Sequence, residues 1–178
     1  MIVVKQLLDH CGRAFGSSGE LYQTEEADVL IAVYPPAGGR GWWTYATLEL
    51  HRTGASECLL YSYRFERDIV TLLGRVARQV RERWERQRAR LSSGAVFLLG
   101  DAIQEASPLD CVIATPADFE EEGFDYFTNG AEVIRFMMLH AIASTEARFA
   151  EQHGLEALEE LFVRAGVDSL DFMRTPAK

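Results

Sequence analysis

Trp42-Trp43-Thr44-Tyr45-Ala46-Thr47-Leu48-Glu49-Leu50-His51, followed closely by Glu57-Cys58-Leu59-Leu60-Tyr61-Ser62-Tyr63-Arg64-Phe65, decides the fold class. Both runs are rich in aromatic and β-branched residues, which favour strands. Period two sends Trp42, Thr44, Ala46, Leu48 and Leu50 to one face of the first strand. Glu49 and His51 fall on the other, outward face. Thr53-Gly54-Ala55-Ser56 reads as the turn of an antiparallel hairpin. Glu49 and Glu57 could then face each other with His51 nearby, an arrangement that could serve as an acid–base pair. An ordinary polar face is the simpler reading, because no nucleophile or oxyanion motif accompanies them.

Helix signals flank the hairpin. Val3, Val4, Leu7, Leu8, Cys11 and Phe15 recur at three- and four-residue spacing, and Gly16-Ser17-Ser18-Gly19 ends that helix. Ile69, Leu72, Leu73, Val76, Val80 and Trp84 hold one face of a longer helix after the hairpin. Val29 to Tyr34 is a buried strand stopped by Pro35-Pro36. Ala95 to Leu99, Cys111 to Ala114 and Glu132 to Ile142 are further strands, and Asp118 to Gly130 is a loop. Ser144 or Thr145 opens a last helix running to about Arg164, with Glu146 in its first turn. Strands and helices do not alternate one by one, which argues against a doubly wound parallel sheet. The expected class is α+β: a mixed, mostly antiparallel sheet with helices packed on it.

Length and charge bound the rest. A chain of 178 residues suits a single domain over 1–178 that buries about 70% of its unfolded surface. It therefore needs no disulfide or structural metal. Cys11, Cys58 and Cys111 are widely spaced and read as reduced, buried thiols; no C-x-x-C occurs. His10, His51, His140 and His153 share no ligand spacing, and no metal or cofactor is expected. His153, before Gly154, reads as a surface residue at a helix bend. No run approaches the roughly 18 apolar residues of a membrane span, and no targeting pattern opens the chain. The expectation is a cytoplasmic protein without membrane or nucleic-acid partners, given a net charge of −9.

Two charged stretches stand out. Residues 64–90 hold nine Arg against four acids. Glu82 lies four residues from both Arg78 and Arg86, and Arg81 four before Glu85, so the helix face reads as self-paired and solvated. Asp118, Glu120, Glu121, Glu122 and Asp125 put five acids in eight residues, interleaved with Phe119, Phe124, Tyr126 and Phe127. A solvated loop is one reading. A contact site for a basic protein is the functional one, since aromatic anchors beside charge are what interfaces enrich. The candidate partner-binding residues are Asp118, Phe119, Glu120, Glu121, Glu122, Phe124, Asp125 and Tyr126. Gly38-Gly39-Arg40-Gly41 is too short for a phosphate loop and lacks the Lys-Ser/Thr ending.

Several of these stretches resemble one family in order and spacing. Trp43 to Leu50 resembles the TYATLG strand of the suppressor-of-fused domain family, and Glu57 to Tyr63 its ELLLYS strand. Gly100-Asp101-Ala102-Ile103 is similar to its GDTI turn, and Leu109 to Pro116 to its next strand. Glu146 with Gly154-Leu155-Glu156-Ala157-Leu158 resembles its closing helix. The likeness runs from about Val29 to Asp171. It departs at Glu49-Leu50-His51, at His140-Ala141, in the Asp118–Gly130 loop and at the Arg-rich helix end. The resemblance implies a non-enzymatic binding fold. The eukaryotic relative holds a transcription-factor peptide as an added strand in a cleft. Bacterial single-domain relatives are thought to be immunity proteins that neutralise polymorphic toxins. The implied partner is thus a protein, with a basic toxin domain as the specific case. A small-molecule enzyme using Glu49, His51 and Glu57, or a housekeeping scaffold, remain the other readings.

Overall fold

The hairpin forms as its composition predicts. In the computed structural model, which describes residues 2–53, 56–130 and 132–178, strand β3 (Trp43–Thr47) pairs antiparallel with β4 (Glu57–Ser62). The predicted turn falls partly on residues 54 and 55, outside the described residues. β3 is shorter than its sequence pattern predicts. It stops at Thr47, and Leu50–Thr53 winds into a 3-10 turn. Glu49 and His51 therefore leave the sheet and do not stand on an outward strand face. β4 likewise ends at Ser62, before Phe65.

Four strands run in sequence along one side: β1 (Glu20–Gln23), β2 (Leu30–Tyr34), β3 and β4. β1 was not expected, because four residues of which only Tyr22 is partly covered carry no readable alternation. After helix α2 (Arg67–Gln87) come β5 (Val96–Leu98), β6 (Cys111–Pro116), β7 (Tyr126–Thr128) and β8 (Val133–Ile142). The main sheet order is β1-β2-β3-β4-β8-β6-β5, with β7 paired to the start of β8. β7 lies inside the segment expected to be a plain loop. Every pairing is antiparallel except β4 with β8. The sheet is mixed and mostly antiparallel, as the element order implied.

Both faces are covered, which is why the period-two reading of β3 fails: Thr44, Tyr45, Ala46 and Thr47 are all buried. α2 lies on one face. Its Ile69, Leu73, Val76 and Val80 join Val33, Tyr45, Leu60, Val112, Met137 and Leu139 in one core. On the other face α1 (Ile2–Phe15) packs Leu7, Cys11 and Phe15 against Ala32, Tyr34, Ala46, Leu59 and Met138. Farther along that second face, Cys111, Ile113 and Ile142 meet Leu158 and Leu161. The even-numbered residues of β8 (Phe136, Met138, Ile142) serve both of these second-face cores, so α1 and the C-terminal helices stand on the same side, apart from each other.

The last helix is two helices, α3 (Ser144–His153) and α4 (Leu155–Ala165). Gly154 at φ 91° breaks the run, a conformation that a side chain disfavours. His153 is exposed at this break. Glu146 is buried beneath α3. It accepts Ala143 N–H at 2.8 Å and Ala177 N–H at 2.7 Å, and clamps Arg174 through both carboxylate oxygens at 2.8 and 2.9 Å. This pair fastens the C-terminal tail, residues 167–178, whose Phe172 joins the α2-side core while Leu170 and Ala177 pack against the two second-face cores. The self-paired helix face is also revised. Three Arg side chains of α2 reach off the helix: Arg75 pairs with Glu26 and Asp101, Arg81 donates to Ala27 O, and Arg83 to Val96 O at 2.7 Å. Long side chains on a packed helix lay their stems along its flank and find strand-end carbonyls. All three cysteines are free and buried, and burial raises each thiol above its usual range, Cys111 to about 11.

Candidate functional site

The strands that carry the sheet's centre come apart. β4 and β8 pair in parallel only from Glu57↔Phe136 to Leu59↔Met138. Beyond that, Leu60, Tyr61 and Ser62 pair only with β3, while Leu139 to Ile142 pair only with β6. On the second face this fork lies between the α1 core and the α3/α4 core. A hollow of about 250 Å³ opens there, lined by Trp42, Tyr61, Tyr63, Met138, His140 and Leu170 among others. A second hollow of about 620 Å³ continues toward α4 along Ile113, Pro116, Leu158, Phe162 and Val163. Phe119, His140 and Ser169 line both, so the two form one cleft with Phe119 standing between them.

The floor is apolar and the walls come from four elements. Phe119 is 73% exposed and Val163 82%, large apolar side chains left open to solvent. Tyr63 leans from the end of β4, and its hydroxyl donates to Asp168 Oδ2 at 2.8 Å; that carboxylate holds the phenol above its usual value. The tail supplies Ser169 and Leu170. His140 lies on the floor, its Nε2 2.9 Å from Thr115 Oγ1, with Phe119 edge-on at 6.1 Å. Burial pushes His140 down to about 4, so the ring is neutral at pH 7.

Arg40 shores up the α1 side of this wall. Its guanidinium pairs with both oxygens of Glu120 at 2.9 Å and lies 4.7 Å from the Phe15 ring centre, 4.9 Å from Trp42 and 5.3 Å from Tyr61. Glu120 also contacts the Tyr61 hydroxyl. The short glycine loop thus delivers a structural cation, which its sequence alone did not show.

The acidic segment therefore divides. Asp118 and Phe119 stand at the cleft. Glu121 and Glu122 are exposed. Glu120 turns inward, its side chain 4% exposed, and Phe124 is buried against His10, Phe15 and Phe136. Asp125 is half-buried and its carbonyl accepts Phe136 N–H at 2.8 Å. Tyr126 is 48% exposed on β7 beneath Arg135. The aromatic residues between the acids are in part core anchors: Phe124 must be buried to hold the segment down. Of the eight candidate residues, Asp118, Phe119, Glu121, Glu122 and Tyr126 are exposed, Asp125 is half-buried, and Glu120 and Phe124 turn inward.

Glu49, His51 and Glu57 do not converge on an open cavity. Glu57 is fully buried. It accepts from Thr47 Oγ1, from Leu50 N–H at 3.3 Å and from His51 N–H at 3.0 Å, and its Oε1 lies 2.5 Å from His51 Nδ1. Glu49 instead pairs with Arg52 at 2.6 Å. Glu57 holds the 3-10 turn against the hairpin, and such a saturated carboxylate has no lone pair free for a substrate. Among the described residues no group of three or more His, Cys, Asp or Glu is placed to hold a metal ion, and no helix is long and apolar enough to cross a membrane.

Sequence reasoning missed Trp42, Tyr61, Tyr63, His140 and Leu170 as cleft residues. One signal was present: a histidine within the otherwise apolar run Phe136–Ile142.

Fold and site together define an α+β protein with a two-faced mixed sheet and an aromatic cleft where its central strands diverge. The sequence signature of the Suppressor of fused protein (SUFU) family matches residues 23–175, and the chain belongs to that family. A SUFU homolog from Neisseria gonorrhoeae superposes with a TM-score of 0.81 at 21% identity, covering 99% of this chain and 97% of that one. A chain of the Sufu–Fu complex gives 0.68 at 12% identity, covering 98% of this chain and 91% of that one. Drosophila Suppressor of Fused gives 0.69 at 12% identity over 98% of this chain, which spans 51% of that one. At these identities the likeness is one of fold. No curated protein sequence matches the chain.

Proposed function

We propose that this chain is a single cytoplasmic domain that works by occupying the surface of another protein, without transforming a substrate. The observation that carries this is the cleft at the β4/β8 fork: a largely apolar floor with exposed Phe119 and Val163 beside it. Such a surface suits a protein segment more than a reaction. The membership of the SUFU family and the likeness to a chain of the Sufu–Fu complex support a binding role. The specific form proposed is an immunity protein that neutralises a basic toxin domain. A net charge of −9 would speed encounter with such a partner and match its substrate-binding charges.

The test is co-expression with the protein encoded beside it. A stoichiometric complex, with rescue of growth when that protein is toxic, is the expected result. A complex with a non-toxic endogenous protein would favour a scaffold instead. Absence of any complex, together with turnover of a metabolite lost on replacing Glu49 or His51 in a folded variant, would overturn the proposal.

A further inference from the structure

We infer that the hollow between β5 and α3 binds a small organic anion, a carboxylate carried on an apolar chain. This goes beyond the protein-binding reading and does not depend on it. The hollow lies at the outer edge of the sheet, and Ile113 is the one residue of its lining that the cleft shares.

The sheet ends at β5, and its ladder sets the site. Leu99 N–H bonds to Asp110 O and Ala114 N–H to Ala95 O, so Phe97 pairs inward with β6. Val96 and Leu98 then turn their backbone groups toward the free edge. Gln79 Nε2 and Arg83 Nη2 cap the Leu98 and Val96 carbonyls at 2.8 and 2.7 Å. Such caps keep an edge strand from pairing with another chain. What stays open is the hollow beside it. Val96, Ile113, Ala147 and Leu155 give it an apolar lining, next to Leu98, which is 65% exposed. Its volume of about 640 Å³ is that of a small-molecule site, about 300–1,000 Å³.

The charge on its walls is unspent. Arg83 is half-buried, its guanidinium 4.3 Å from the Phe97 ring centre. The bond to Val96 O is the only one its side chain makes among the described residues, and no carboxylate pairs with it. Arg148 faces the same hollow from α3, exposed, with no hydrogen-bond or ion-pair partner among the described residues. Ser144, Ala147, Arg148 and Glu151 recur at helical spacing and share that face. Glu151 is the one acid of the lining and pairs with neither arginine. The chain as a whole carries −9, so two cations left without carboxylates around one apolar hollow are a local reversal of sign. A carboxylate there would be held by charge-assisted, forked hydrogen bonds, with its apolar chain on the floor.

The test is titration of the intact chain with sodium octanoate, followed by amide shifts in nitrogen–proton correlation NMR. Saturable shifts are expected at Val96, Leu98 and Arg148, and none at Phe119 or His140 in the cleft. Octanol and octylammonium keep the chain without the negative charge, and should bind about tenfold more weakly or less, the worth of a hydrogen bond to a charged group. Acetate keeps the charge without the chain and should be weaker still. Arg148→Glu, at a side chain with no bond to lose, should lower octanoate affinity about tenfold or more. Glu151→Gln should raise it. If Arg148→Glu lowers the melting temperature, Leu98→Ser repeats the test from the apolar side and should weaken octanoate severalfold. No saturable binding, octanol binding as tightly as octanoate, shifts centred on the cleft, or affinity indifferent to these variants would overturn the inference. Cosedimentation with phosphatidylglycerol vesicles that Arg148→Glu abolishes, without any octanoate binding, would overturn it too and make the arginines a lipid-surface contact.

Discussion

Replacing Arg174 with methionine removes the cation that fastens the C-terminal tail while keeping most of its bulk. The guanidinium makes two hydrogen bonds to Glu146, at 2.8 and 2.9 Å, and a third to Ala141 O at 3.0 Å, and lies 5.0 Å from the Phe162 ring centre. Glu146 is 1% exposed and Arg174 8%. Removing one partner of such a pair leaves a buried charge without its counterion, which costs about 3–5 kcal/mol. Glu146 retains the backbone N–H groups of Ala143 and Ala177, so the lower end applies, about 3 kcal/mol. For a chain of this length that lowers the melting temperature by about 6–12 °C. Urea denaturation followed by tryptophan fluorescence measures the loss. The double variant Glu146→Gln/Arg174→Met should lose less than the sum of the single variants, with a coupling of about 2 kcal/mol. A single-variant loss below about 1 kcal/mol, the worth of an exposed pair, would refute the reasoning. So would strict additivity. Because Ser169 and Leu170 of the tail wall the cleft, the same variant should weaken partner binding beyond its effect on overall stability.

Gly74→Ala should destabilise despite alanine's better helix propensity. An added Cβ would meet Thr24 Cβ at 2.9 Å, an overpacking cost of about 1–3 kcal/mol against a gain of about 1 kcal/mol, and a stabilised variant by urea titration would contradict the packing. His140 is held near 4 when folded but titrates near about 6.5 when unfolded, so the unfolded chain binds more protons between those values. Stability is therefore full above the upper value and is lost as pH falls toward 4, on the order of 3 kcal/mol in all; His140→Gln should flatten that slope, and an unchanged acid profile would count against a neutral buried ring. Glu57→Gln should cost about 2–4 kcal/mol, because its amide places a donor among groups that all donate, while partner affinity per folded molecule stays constant; a change confined to binding or turnover would return Glu57 to a functional role.

Much of the fold was legible because long, covered elements impose strong patterns. The stripes of α1 and α2 and the apolar runs of β2, β6 and β8 carry their periodicity in the residues themselves. β1 and β7 were not legible, since short edge segments with exposed residues are held by pairing to a neighbour rather than by burial. The outward face assigned to Glu49 and His51 failed because β3 stops at Thr47 and Leu50–Thr53 winds into a 3-10 turn, a break that nothing local announces. The acidic segment was seen as unusual, but which of its members turn inward depends on Arg40, eighty residues away in the chain. The cleft was hidden for a related reason. It exists because two strands cease to pair, and divergence between β4 and β8 leaves no trace in either sequence.

The parallel seam of three residue pairs has a kinetic consequence. β1 to β4 form a run of neighbours in chain order, whereas β8 reaches β4 only after α2, β5, β6 and β7 have been laid down. Closing that long excursion is entropically slow, so the two halves of the sheet should assemble first and zip together last. The seam is then where the native state most readily opens, and hydrogen exchange at Cys58 and Met137 would report it. A tight partner bound across the fork would rivet both halves at once, and would make the least cooperative part of the molecule its most protected.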